Sequence, residues 1–247
     1  MIIQRIWLPI LIFYVIALVF AFFFRIATPE WYNAIHLPYG LDTLKSWFSG
    51  LGPFLGAIVV IRLFKLPWQN TLWGSSRINS LLMATLPILL FAIIGAGQAD
   101  GLQRHFVGFI MGLGILGYCL LEEMGWRGYL QAALHGINPI LKYTIIGSLW
   151  YTWHLSFLEG DLYITQELTI LVILIIVSSA IGQAVEHTRS IIVAACLHMV
   201  GNILAFSSLL RESVAGDERL LIVGISALVW AAMLIFWDGI ASYFARR

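Results

Sequence analysis

Stretches of about 20 mostly apolar residues recur along the chain, separated by short breaks that carry charge, Gly or Pro. A run of that length crosses the hydrocarbon of a bilayer as one helix. The expected fold is therefore all-α, a polytopic transmembrane bundle of about eight spans, placed at 6–24, 48–64, 80–98, 106–134, 140–158, 167–185, 190–210 and 219–237. The fourth is long enough to tilt or to run on past the bilayer. The first follows Arg5 as a signal peptide would. It exceeds the roughly 7–15 apolar residues of a signal and lacks a small-x-small cleavage site, so it reads as a span kept in the mature protein. Composition agrees: 60% of the residues are hydrophobic and 11% charged, against about 25% charged in soluble domains. Without internal repeats or low-complexity segments, residues 1–247 read as one integral membrane domain.

Lys and Arg in alternate breaks set the expected orientation. Arg5, Arg62, Lys65, Arg77, Arg127, Lys142, Arg189, Arg246 and Arg247 fall on one side, and Arg25, Lys45, Arg104, Arg211 and Arg219 on the other. Positive residues favour the inside, so both termini are expected in the cytoplasm of a multi-pass cell-membrane protein. Most acidic loop residues, Glu159, Asp161, Asp217 and Glu218 among them, then fall outside. A net charge of +1 with no basic run argues against nucleic-acid partners. Cys119 and Cys196 have no paired spacing and read as small apolar side chains.

Ionisable groups within membrane spans cost a few kcal/mol each at about mid-depth, so they face the bundle interior, find partners and mark function. Three clusters stand out. In Glu122-Glu123-Met124-Gly125-Trp126-Arg127-Gly128, Glu123 and Arg127 are four apart and can pair on one helical face. Glu122 lies about 100° around the helix and points elsewhere. In Trp150-Tyr151-Thr152-Trp153-His154, Trp150 sits one turn before the histidine and can orient its ring. In His198-Met199-Val200-Gly201-Asn202, imidazole and amide project together, the amide suited to a developing oxyanion.

Each cluster also has a plain structural role open to it: a hydrated interfacial Glu pair, or a His or Asn bonded to a neighbouring helix. Their coincidence weighs more, since three helices together supply a carboxylate, two imidazoles and an amide, enough for hydrolysis by activated water. His36, His105, His135 and His187 fall near loops or span ends and read as solvated or interfacial. Gly108-x-x-x-Gly112 reads as close helix packing. Trp7, Trp31, Trp47, Trp68, Trp73 and Trp237 sit near span ends, as an aromatic belt would.

Glu-Glu-x-x-x-Arg-Gly, aromatic-x-x-x-His and His-x-x-x-Asn, in this order and on separate hydrophobic helices, resemble the CPBP family of intramembrane proteases, also called CAAX proteases, bacteriocin-processing enzymes or the Abi family. The likeness covers Tyr118 to Ala205, within a catalytic core of about 106–210. It implies that Glu122 is the catalytic carboxylate, that Glu123 and Arg127 support it, that His154 binds or activates water, and that His198 and Asn202 complete the site. Trp150 stands where the family motif has Phe. The resemblance also implies a membrane-associated peptide or protein substrate, either a CAAX-type prenylated protein or a leader-type peptide. A divalent metal, zinc foremost, would be held by Glu122, His154 and His198 with an open position for water. The same trio fits metal-free general-base catalysis equally. No HExxH, GxGD or rhomboid-type serine motif is present.

A linear depth count sets Glu122 in the inner half of the bilayer and His154 in the outer half. Moving the bilayer portion of the fourth span to about 111–130 brings Glu122 to mid-depth. The competing readings are a non-catalytic immunity or scaffold protein, whose buried polar groups fix packing, and a proton-coupled transporter. The transporter ranks lower for want of matched Gly/Pro-broken helices.

Overall fold

The computed structural model describes residues 4–35, 37, 44–97, 103–158 and 163–245. His36, Glu159, Asp161, Arg246 and Arg247 lie outside the described residues. Among those described there is no β-strand, and the main elements are helices. They are α1 (Gln4–Ala21), α2 (Ser46–Phe64), α3 (Arg77–Ile94), α4 (Arg104–Glu123), α5 (Pro139–His154), α6 (Ile164–Thr188), α7 (Ile191–Gly201), α8 (Gly216–Ile235) and α9 (Trp237–Ala245).

Among the described residues, six helices are long and apolar enough to cross a membrane: Ile6–Ala27, Ser46–Phe64, Arg77–Ile94, Arg104–Ala133, Ile164–Thr188 and Gly216–Ile235. The fold is that of a multi-pass, all-helical membrane protein. The other two expected spans are helices too, but shorter, at 16 residues for Pro139–His154 and at Ile191–Ala205. The first ends early because Leu155 turns left-handed at φ 58. The second starts where expected, with the Ser190 side chain accepting from the Val193 amide, and ends early because it widens into a π-turn at Asn202 that stops before Ser207, the cap of the next helix.

The chain divides into two compact units. The first comprises Met1–Ile35, Phe48–Thr71 and Leu121–His187, and the second His36–Trp47, Leu72–Leu120 and Thr188–Arg247.

In the first unit, glycines let helices approach to backbone contact. A Cβ on Gly52 would lie 2.7 Å from the Phe20 Cβ, and one on Gly56 2.8 Å from the Phe13 carbonyl oxygen, so this four-residue glycine spacing seats α2 on α1. A Cβ on Gly147 would lie 2.5 Å from Ile175 Cα, which brings α5 against α6. Trp153 Nε1 donates to the Ala17 carbonyl at 3.0 Å, and Tyr14 donates to the Leu149 carbonyl at 3.2 Å, tying α5 to α1. Before α5, Asn138 accepts from the Ile140 amide at 3.0 Å and Pro139 opens the helix where an amide proton is dispensable.

In the second unit the expected Gly108/Gly112 contact is present. A Cβ on Gly108 would stand 2.0 Å from the Phe91 oxygen and one on Gly112 3.0 Å from Ile88 Cα, so α4 lies directly on α3. Neutral side chains join the rest. Ser190 bonds Ser80 at 2.8 Å and donates to the Leu72 carbonyl at 3.1 Å, Asn79 donates to the Trp237 carbonyl at 2.9 Å, and Trp230 donates to that of Met83 at 3.1 Å. Trp7 and Trp31 are exposed, as a belt requires. Trp237 is not: it is fully buried and donates to Ser75 Oγ at 2.8 Å, because α9 continues directly from α8 and folds the indole inward. His105, His135 and His187 are exposed, as expected.

Candidate active site

The helix carrying the paired glutamates changes pitch just after them. α4 is α-helical to Glu123, widens into a π-helix over Met124–Leu130, and ends as Gln131–Ala133. π-turns carry one residue more per hydrogen-bonded ring and are frequent at functional sites. This one is backed by α2, for a Cβ on Gly125 would stand 2.5 Å from the Pro53 Cβ. Only glycine permits that approach.

Glu123 and Arg127 pair as their spacing predicts, Nη1 to Oε1 at 2.9 Å, both side chains fully buried. Arg127 Nη2 also reaches Ser178 Oγ at 3.4 Å, its carbonyl accepts from Asn70 Nδ2 at 2.8 Å, and its guanidinium carbon lies 4.7 Å from the centre of the Trp150 ring. The cation is thus in direct contact with Glu123, while Glu122 acts on it only through space. Breaking such a pair would leave an uncompensated buried charge.

Glu122 is 0% exposed and turns to α5. Its Oε2 accepts from Trp150 Nε1 at 3.0 Å, and its Oε1 is buried without a hydrogen-bond partner among the described residues. At the end of α5, the half-buried His154 places Nδ1 2.7 Å from the Trp150 carbonyl. A carbonyl only accepts, so Nδ1 carries the proton and the lone pair of the neutral ring resides on Nε2. Glu122 and His154 are therefore tied to one tryptophan. α5 stops at His154, and the helix that carries Glu122 continues through the π-turn to Ala133. That helix of 30 residues is about 45 Å long at ~1.5 Å per residue, more than the ~30 Å hydrocarbon thickness.

Arg25 is a group that sequence reasoning counted only as an outer-side charge. Its Nη1 donates to the His154 carbonyl at 3.3 Å and its guanidinium carbon lies 3.9 Å from the centre of the Trp153 ring. It thereby caps the α5 C-terminus at His154, where a cation complements the helix dipole. The signal available was an arginine inside the apolar run Phe22-Phe23-Phe24-Arg25-Ile26.

His198 and Asn202 belong to the second unit, on and just beyond α7, and are 6% and 8% exposed. The His198 ring lies 6.4 Å from that of Tyr118, and Asn202 Nδ2 donates to Cys119 Sγ at 3.3 Å. Sulfur is a weak acceptor, so this amide proton is cheaply released to a better one. Arg219 donates to the carbonyls of Ile203 and Leu204, each at 3.2 Å, and Arg211 to that of Ala205, closing the open end of this helix. Cys119, read as a small apolar residue, thus has a polar contact as well. Among the described residues no group of three or more His, Cys, Asp or Glu side chains is gathered so as to hold a metal ion. Glu122, His154 and His198 are each of a side-chain type that ligates zinc.

No curated protein matches the chain. The family comparison does give a match, over residues 103–204, a segment that begins just before α4 and takes in all three polar motifs. The matching family model is described as Rce1-like, type II CAAX prenyl endopeptidase, and this segment of the chain is similar to that family.

Proposed function

We propose that the chain is an intramembrane endopeptidase that hydrolyses one peptide bond of a membrane-associated substrate, a CAAX-type prenylated protein or a leader-type peptide, with water activated by Glu122 and His154. The observation that carries this reading is the state of Glu122: a carboxylate within a membrane helix, 0% exposed, in no direct ion pair with Arg127, with one oxygen held by Trp150 and the other lacking a hydrogen-bond partner among the described residues. An uncompensated buried carboxylate is costly, and membrane proteins retain such groups for function.

Oε1 of Glu122 takes a proton from a water molecule that also donates to His154 Nε2, and the water oxygen attacks the scissile carbonyl carbon. The carbonyl oxygen becomes an oxyanion, for which the Asn202 amide and His198 are the assigned donors, by the motif order the chain shares with its family. Collapse of the tetrahedral species breaks the C–N bond, and Glu122 returns its proton to the leaving amine, giving a free amine and a new carboxylic acid that then loses its proton to water. Glu123 and Arg127 keep the nearby charge balanced, so the base is not quenched by a cation.

The test is cleavage of a panel of lipidated and unlipidated peptides by purified protein in bilayers. Glu122→Gln and His154→Ala should each abolish turnover while the thermal midpoint is kept. Unchanged turnover in both removes the reading, and no turnover by the wild type, with both variants less stable, favours the scaffold alternative. Metal analysis of the same samples separates the two forms of the mechanism. Stoichiometric zinc lost in Glu122→Ala assigns Glu122, His154 and His198 as ligands, and full activity in chelator assigns general-base catalysis alone. Both termini are placed in the cytoplasm on the Lys and Arg distribution, and protease protection of terminal tags in oriented vesicles checks it.

A further inference from the structure

Trp150 meets the two groups assigned to water with different parts of itself. Its indole Nε1 donates to Glu122 Oε2 at 3.0 Å, and its carbonyl accepts from His154 Nδ1 at 2.7 Å. Its ring also lies beneath the guanidinium of Arg127, 4.7 Å from centre to carbon, and Arg127 is paired with Glu123. Any residue at this position would offer the carbonyl. The N–H is particular to tryptophan among the aromatic residues: Phe has no donor, and a Tyr hydroxyl projects from the far tip of the ring.

A carboxylate's terminal torsion is broad and roughly two-fold, so an unanchored Glu122 would present either oxygen over a wide range of angles. Trp150 is buried on the same rigid helix as His154, one turn away, and its hydrogen bond with Glu122 is shielded from water. From these contacts we propose that Trp150 is a positioning residue for the hydrolysis: its indole N–H engages one oxygen of Glu122, which fixes the rotation of the carboxylate and reserves Oε1 for the water. The proposal rests on the protease reading. It separates the two oxygens of Glu122 into an anchored atom and a reacting atom, and it makes the spacing of base and imidazole a property of one side chain.

The decisive variant replaces Trp150 with benzothienylalanine by nonsense suppression in the full-length protein. The bicyclic shape and the face beneath Arg127 are kept, and only the N–H is exchanged for sulfur. The expected result is a kcat lowered about 10- to 100-fold, the scale of a misplaced catalytic group, with KM within about twofold and the thermal midpoint unchanged. Incorporating 5-fluorotryptophan by the same route, which restores an N–H, should recover kcat to within about threefold of wild type. Trp150→Phe should match the benzothienyl variant in kcat. An unchanged kcat in the benzothienyl variant overturns the positioning role and leaves the protease reading standing. Loss of kcat accompanied by an equal loss of stability, with no recovery by 5-fluorotryptophan, overturns it in favour of packing alone. A wild-type protein that cleaves no peptide of the panel overturns the protease reading, and the positioning role with it.

Discussion

The two units bury polar groups of different kinds. In the first, Glu122, Glu123, Arg127 and Lys142 are all buried, whereas among the described residues the second buries only neutral groups and an imidazole: Ser76, Asn79, Ser80, Thr188, Ser190, His198, Asn202 and Ser226. Neutral hydrogen bonds between membrane helices are modest, on average about 0.6 kcal/mol, and they serve to set register. Buried charges are costly unless compensated, and Glu122 is held by a tryptophan N–H where Glu123 is held by a guanidinium. The contrast teaches that the interior of the second unit is held by small residues and neutral donors, while the first also buries charge, most of it around Glu122.

That contrast breaks first at Glu122. Glu122→Gln keeps shape and the Trp150 contact but removes the base, and kcat should fall about 10²–10⁴-fold with the thermal midpoint held. A large loss of stability instead would make Glu122 structural and erase the distinction. Next comes Arg127→Met, expected to destabilise by about 3 kcal/mol because Glu123 is left buried and uncompensated. Adding Glu123→Gln should recover much of that loss, as measured by denaturation in mixed micelles. Gly125→Ala, which pushes a methyl group into Pro53, should cost about 1–3 kcal/mol and lower kcat as well, since it displaces the turn after Glu122 and Glu123. The smallest effect belongs to the second unit: Ser190→Ala removes the α7 cap and the Ser80 bond, at about 1 kcal/mol, and should leave KM unchanged.

The sequence is most legible where spacing alone decides contact. Glu123 and Arg127 pair, Glu122 points away from them, and Gly108 and Gly112 lie against α3, as i,i+4 geometry requires. The span boundaries are less so, because hydropathy reports lipid-compatible length and is blind to Leu155 turning left-handed or to the helix after Ser190 widening at Asn202 and stopping before Ser207. Trp237 reads as a belt residue because position in a span does not reveal direction, and only the Ser75 contact turns it inward. Arg25 and the Trp150 N–H are hidden for another reason. Their partners lie more than a hundred and about thirty positions away in the chain, and no local pattern encodes such tertiary contacts.

The widened turn at Met124–Leu130 also bears on how this chain tolerates insertions and deletions. A π-turn holds one residue more per hydrogen-bonded ring than an α-turn, so deleting one residue there would let the turn tighten to α geometry and absorb the loss. Gln131 would keep its donation to the Gly182 carbonyl, made at 3.0 Å, whereas a deletion in regular α-helix would rotate all that follows by about 100°. The turn therefore acts as slack, taking up a change of residue number without a change of face.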